Sequence, residues 1–239
     1  MEKNRGTEKD EIKAVKEKLL SGYKRNTIPC EAAVIGRDVS STDDGGHVLR
    51  IFCLKFDLDQ PNIVISGGWD NIIKVWDIRV GRYPVRNIFG PHICGDSLDI
   101  MDNKLLSGQW STRDSLQLWD LGTGRLIKTI LPDNRALGFL GEFLYVAKFM
   151  RGFNEYNNIE GIEGDLVMAG GSGLGGLEVL SIKENAVLAT FPEMNPIVGL
   201  DQMKDVVSFG GTGDSIHFVN FIPSTESIGT IERAQKDNT

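Results

Sequence analysis

Cysteine and histidine are both scarce, with three of each among 239 residues. Cys30, Cys53 and Cys94 stand far apart with no Cys-x-x-Cys pair. An odd, scattered set is no disulfide framework, so free thiols and a cytoplasmic setting are expected. His92-Ile-Cys94 has no second ligand pair at zinc-finger spacing, so no metal is expected. No apolar run approaches the roughly 18 residues of a spanning helix. The opening MEKNRGTEKDEIKAVKEK lacks the apolar core of a signal peptide, and neither a membrane nor a secreted role is expected. There is no Walker loop and no Gly-x-Ser-x-Gly elbow. Gly171-Ser-Gly-Leu-Gly-Gly176 fits the dinucleotide pattern, but Leu177–Ile182 after it reads as a strand. A pyrophosphate needs a helix N-terminus there, so the glycines read as a turn and no cofactor is expected. Positive charge is also short: 26 Lys and Arg stand against 33 Asp and Glu, net −7. That balance disfavours nucleic acid. Acidic pairs such as Asp43-Asp44 fall in polar loops, and none stands out as a catalytic pair. No enzyme activity is expected.

Glycine is what the chain has in quantity, with 28 residues spread along it. Unclustered glycine means many tight turns and many short strands. Residues 1–25 differ from the rest. Eight Lys and Arg and five Asp and Glu give them a local +3. Thr7 and Asp10 suit a capping box, and Ile12, Val15, Leu19, Leu20 and Tyr23 form a helical stripe that Gly22 is placed to end. An amphipathic helix is predicted, docked on its own domain or on another chain. Residues 26–45 are a connector with a candidate strand at Cys30–Gly36, and 233–239 a polar tail. Between them, 46–232 reads as four sets of four strands. The first set is Ile51–Phe56, Asn62–Ser66, Ile72–Ile78 and Val85–Phe89. The second is Ser97–Met101, Lys104–Ser107, Leu116–Leu121 and Leu126–Ile130. The third is Phe143–Met150, Leu166–Ala169, Leu177–Ile182 and Ala186–Phe191. The fourth is Ile197–Met203, Val206–Phe209, Ser215–Phe221 and Ser227–Ile231.

The sets repeat. Trp76-Asp77 returns as Trp119-Asp120 and Gly81-Arg82 as Gly124-Arg125, both at an offset of 43; Ser66-Gly67 returns as Ser107-Gly108 at 41. A period of about 40–45 residues with four strands per unit is the mark of propeller blades. The later sets put Leu180 and Val219 where the tryptophans stand, but keep glycine pairs at Gly170-Gly171 and Gly210-Gly211.

With Gly46-His47, 28 residues and Trp76-Asp77, then Pro91-His92, 26 residues and Trp119-Asp120, the chain resembles the WD-repeat (WD40) β-propeller family over residues 46–130, and more weakly over 131–232. FGPHICGD at Phe89–Asp96 is similar to a subgroup of eukaryotic WD-repeat proteins. The resemblance implies an all-β, partial propeller of about four four-stranded antiparallel blades behind an N-terminal helix. It also implies hydrogen-bonded tetrads, His47, Ser66, Asp70 and Trp76 in the first blade and His92, Ser107, Asp114 and Trp119 in the second. Four blades of a ring that usually holds seven leave two open radial edges. Self-association or completion of the ring by another chain is therefore expected, beside truncation or closure as a small ring.

The expected role is a noncatalytic protein-interaction scaffold within a larger assembly, cytoskeletal or ciliary by analogy. A reader of modified peptides or ubiquitin and a propeller hydrolase are the alternatives. Trp69 and Trp110 fall in the turns between second and third strands, where they either cap the blade locally or face a partner. Arg79, Arg82, Tyr83, Arg86 and Arg113 are further candidates for a contact rim.

Overall fold

A computed structural model describes residues 45–80, 83–152 and 164–221, all within the compact unit Gly36–Thr239. The expected N-terminal helix and the Cys30–Gly36 strand lie outside the described residues. The first sheet holds β1 (Ile51–Phe56), β2 (Ile63–Gly68), β3 (Ile72–Asp77) and β4 (Arg86–Phe89). The second holds β5 (Leu98–Met101), β6 (Lys104–Gly108), β7 (Leu116–Asp120) and β8 (Leu126–Thr129). The third holds β9 (Glu142–Phe149), β10 (Leu166–Gly173), β11 (Gly176–Ser181) and β12 (Ala186–Pro192). The fourth holds β13 (Ile197–Met203), β14 (Val206–Gly211) and β15 (Ile216–Asn220). Its expected last strand, Ser227–Ile231, is outside the described residues. Strands pair in sequence order and every pair is antiparallel, so each sheet is a meander.

The sheets stack as consecutive blades. Strand β5 packs on β1, β9 on β5 and β6, and β13 on β9 and β10. The apolar core is therefore divided into seams between blades. Ile65, Ile73, Val75 and Ile88 meet Leu98, Ile100, Leu105 and Trp119 in the first seam. Leu106, Leu116 and Leu118 meet Leu144, Ala147 and Phe149 in the second. Met168, Leu177 and Val179 meet Ile197, Leu200, Val207 and Phe209 in the third. This explains why central strands such as β2 and β3 read as nearly continuous apolar runs: both faces are covered.

The glycines after each second strand let blades approach. A Cβ on Gly67 would come within 2.8 Å of Leu98 in the next blade, one on Gly108 within 2.9 Å of Ala147, and one on Gly170 within 2.8 Å of Ile197. Strand β10 runs to Gly173 rather than ending at Ala169. A bulge between Gly170 and Gly171 shifts the register and lets pairing continue to Gly173↔Glu142. The glycine-rich 171–176 stretch is consequently the end of a strand and its hairpin turn.

Charged side chains tie the inner strands across blades. Lys55 reaches Asp96 at 3.0 Å, and Lys148 lies 3.5 Å from Asp96 and 3.1 Å from Asp201. Arg151 holds Asp99 through both carboxylate oxygens (2.7 and 3.0 Å) and donates to the Ile100 carbonyl at 2.7 Å. Gln202 accepts from the Arg151 amide and donates to its carbonyl, so one residue clamps three blades.

Candidate partner-binding site

The site rests on a buried polar network in the first blade. The Trp76 indole N–H donates to Ser66 Oγ at 2.8 Å, and Ser66 Oγ lies 2.7 Å from His47 Nε2. On the other side of the ring, His47 Nδ1 lies 2.8 Å from Asp70 Oδ2, which also accepts from the Val48 amide at 3.2 Å. Every polar atom is satisfied when His47 is neutral with its proton on Nδ1: Trp76 donates to Ser66, Ser66 to His47, and His47 to Asp70. Asp70 sits in the β2–β3 turn, so the network fixes that turn and with it the neighbouring Trp69.

Burial pushes the His47 imidazole below its ordinary value of 6.5, and the Asp70 hydrogen bond and charge oppose the shift without cancelling it. A group with a depressed imidazole value takes up its proton later in the folded state than in the unfolded one. Folding stability is thus complete above about 6.5 and is lost as pH falls below it. The urea midpoint of the wild-type protein is expected to fall between pH 7 and pH 5 more steeply than that of His47→Gln; equal slopes would contradict this account of the tetrad.

The second blade departs from the expected pattern. Trp119 donates to Ser107 at 2.9 Å, but His92 turns away and lies 2.6 Å from Asn71 Oδ1. Asp114 contributes its backbone carbonyl, to Gln109 Nε2, and its residue adopts a left-handed φ of 54°. The physical reason is loop length. Ser107 and Trp119 are twelve residues apart against ten for Ser66 and Trp76, and the buried Gln109 side chain stitches the longer turn together by accepting from the His92 amide and donating to Gln117. The third and fourth blades hold Leu180 and Val219 opposite Val167 and Val207, with Ala169 and Phe209 in the serine position; packing replaces the polar network.

Released from the tetrad, His92 joins a row of aromatic rings. The Phe52 ring lies 5.2 Å from Trp69, Trp69 stacks on His92 at 6.4 Å and 10°, His92 lies 6.4 Å from Trp110, and Trp110 lies 4.8 Å from Phe143. Arg50 stands 5.0 Å over the Trp69 ring. The two indoles are pinned through their N–H groups, Trp69 to Cys94 Sγ at 3.1 Å and Trp110 to the Tyr145 hydroxyl at 3.0 Å. Both residues remain partly in solvent, Trp69 36% and Trp110 42% exposed. The row crosses blades one to three at the end that carries the β2–β3 and β6–β7 turns.

The structure divides the other candidates. Exposed Arg113 lies in the β6–β7 turn beside Trp110. Arg79 and Tyr83 belong to the β3–β4 connection and Arg86 opens β4, so all three lie at the opposite end of the first blade, apart from the row. There Arg79 pairs with Asp77 at 2.7 Å, and its guanidinium and amide hold the Asp77 carboxyl down at about 2. Arg86 donates to the Leu121 carbonyl at 2.6 Å, a tie between blades. Arg82 lies outside the described residues. Sequence reasoning missed Arg50, Phe52, Phe143 and Tyr145; the one available signal was an aromatic near the start of the first strand in the first and third sets.

Burial pushes the Cys94 thiol up, and burial together with Asp96 pushes Cys53 up to about 12, so neither is a thiolate nucleophile near neutral pH. Among the described residues no three His, Cys, Asp or Glu side chains group as a metal site.

No protein-family model matches the chain. It is 26% identical over 155 residues to mitochondrial division protein 1 of Eremothecium gossypii, covering 61% of this chain and 21% of that protein. It is 38% identical over 40 residues to the mitotic checkpoint protein bub-3 of Caenorhabditis elegans, covering 17% and 11%. It is 32% identical over 85 residues to the small ribosomal subunit protein RACK1 of Neurospora crassa, covering 33% and 26%. The matches span about a quarter or less of these curated relatives. Among solved structures, the computationally designed Ika4 protein superposes with a TM-score of 0.55 at 21% identity, over 75% of this chain and 96% of that one. The WD40 β-propeller domain of Doa1 superposes with a TM-score of 0.55 at 15% identity, over 72% and 51%. With the Trp-Asp repeat and the indole–serine bonds in two successive blades, these likenesses establish the β-propeller fold of the chain and support its resemblance to the WD-repeat family.

Proposed function

We propose that this protein is a noncatalytic scaffold that docks a segment of another protein along the aromatic row of blades one to three. The observation that carries the reading is the row itself: five rings in sequence, the indole N–H groups tied down and both tryptophans partly exposed, with Arg50 over Trp69. Rigid aromatics held in place lose little entropy on binding and are frequent anchors of interfaces. Mitochondrial division, a mitotic checkpoint and the small ribosomal subunit are the settings named for the similar proteins. All are multi-protein settings, which supports an assembly role for this chain too.

The test has two steps. Proteins captured by the full chain are identified, and each purified candidate is titrated against the wild-type chain, Trp69→Ala and Trp110→Ala. Each substitution removes an exposed anchor, so binding is expected to weaken about tenfold or more, a loss of roughly 1.4 kcal/mol or more, while the urea midpoint stays close to wild type. Unchanged affinity in both variants would overturn the proposal. Collapse of the fold in both would show the rings to be core.

A further inference from the structure

Aligning the blades on Trp76, Trp119, Leu180 and Val219 shows that the two end faces of the described blades carry the kinds of residue that meet in the seams between blades. On the face toward the following blade, each third strand carries an apolar pair. Ile73 and Val75, Leu116 and Leu118, and Leu177 and Val179 are all buried beneath the next blade. The fourth blade has the same pair as Ile216 and Phe218, each 73% exposed. Beside them stands Gly210, at the position where Gly67, Gly108 and Gly170 make room for the next blade; a Cβ on Gly210 would meet atoms of Ser215 and Ile216 in its own sheet, none nearer than 3.3 Å. On the opposite face, each first strand carries a residue that seats against the preceding blade: Leu98, Ala147 and Leu200, all buried. The first blade has Leu54 there, 54% exposed, and Phe56, 63% exposed, where the second and third blades have buried Ile100 and Phe149. At one shared register position of the first strands the charges alternate as Lys55, Asp99, Lys148 and Asp201.

We infer that both faces are covered by a second copy of this chain, joined head to tail. The Ile216, Phe218 and Gly210 face of one copy receives Leu54 and Phe56 of the other, and the same contact forms again on the far side. Two identical junctions related by a two-fold axis close the assembly, so it does not grow into a filament. Four blades from each copy give a ring of eight, within the span of known propellers. Apolar residues meet apolar residues at the seam. At the shared register position, Asp201 of one copy comes beside Lys55 of the other, which continues the alternation of sign.

Light scattering on the full chain tests this. The expected mass is twice that of the 26.4 kDa chain at micromolar concentrations. Leu54→Asp and Phe218→Asp each place a carboxylate in both junctions of the homodimer, and each is expected to weaken association at least tenfold. Both residues are more than half exposed in the single chain, so folding should survive, as unchanged urea midpoints would verify. An equimolar mixture of the two variants can form a heterodimer with one junction intact and the other doubly substituted, and it should regain dimer that neither variant forms alone. A single-chain mass for the wild type throughout that range, a dimer indifferent to both substitutions, or open polymers of growing mass would each overturn the inference.

Discussion

Trp119→Ala is expected to destabilise the chain by about 3–5 kcal/mol, the usual range for truncating a large buried aromatic. The size follows from where the indole lies. It sits in the seam between the first two blades, packed with Cys53, Ile65, Val75 and Ile88 of one and Leu98, Ile100 and Leu105 of the other. Removing it opens a cavity that two rigid sheets cannot collapse around. It also strands Ser107, whose hydroxyl accepts the indole N–H. Trp119→Phe keeps most of the packing and loses the bond, so it should cost roughly 1–2 kcal/mol. Urea titrations read both values from the midpoint, provided the slope is unchanged. A loss below 1 kcal/mol for the alanine variant would mean that the seam does not carry the fold.

The second large effect is expected at the Arg135–Glu178 pair. Arg135 lies in the segment between β8 and β9, and Glu178 points from the middle of β11. Arg135 Nε lies 3.0 Å from Glu178 Oε1 and Nη2 lies 3.0 Å from Oε2, with both side chains buried. Arg135→Met would leave a buried carboxylate without its counter-charge, at a cost of about 3–5 kcal/mol. Replacing both partners by apolar residues removes the orphaned charge as well. The Arg135→Met, Glu178→Leu double variant is therefore expected to recover much of the loss, since a buried pair repays little beyond its own desolvation. The double-variant cycle separates an ion pair with net value from one that only avoids an unpaired charge. A single variant within 1 kcal/mol of wild type would show that water reaches Glu178 when Arg135 is removed.

What could be read from the sequence was whatever repeats locally. Strand periodicity, the glycine pairs and the 43-residue return of Trp-Asp define the blades; even the degenerate third and fourth sets keep the glycines, and in the third Gly170 makes room for Ile197 of the next blade. The first tetrad follows the same logic: a serine, a turn carboxylate and an indole lie within eleven residues, and the structure brings them to His47. The second blade shows the limit. His92 occupies the family's histidine position, yet two extra residues between Ser107 and Trp119 are enough to redirect it to Asn71 and the aromatic row. The row has no period to detect, because its members come from residues 52 to 143 and meet only once the blades are stacked. Arg135 with Glu178 and Arg151 with Asp99 are separated by 43 and 52 residues, and nothing local marks either pair. The GxGxxG stretch is the opposite case, a local match that the following strand overrides.

The four tryptophans allow the most direct test, because the blade arrangement divides them into two classes. The indole N–H groups of Trp76 and Trp119 are buried donors to Ser66 and Ser107, whereas Trp69 and Trp110 lie at the open end of the blades with their rings partly in solvent. Indole hydrogen exchange followed by NMR, with each resonance assigned by a single Trp→Phe substitution, should show two slow protons, at Trp76 and Trp119, and two fast ones. Four protons of similar rate, or protection at Trp69 and Trp110 in place of the other pair, would contradict blades pinned internally by their indoles.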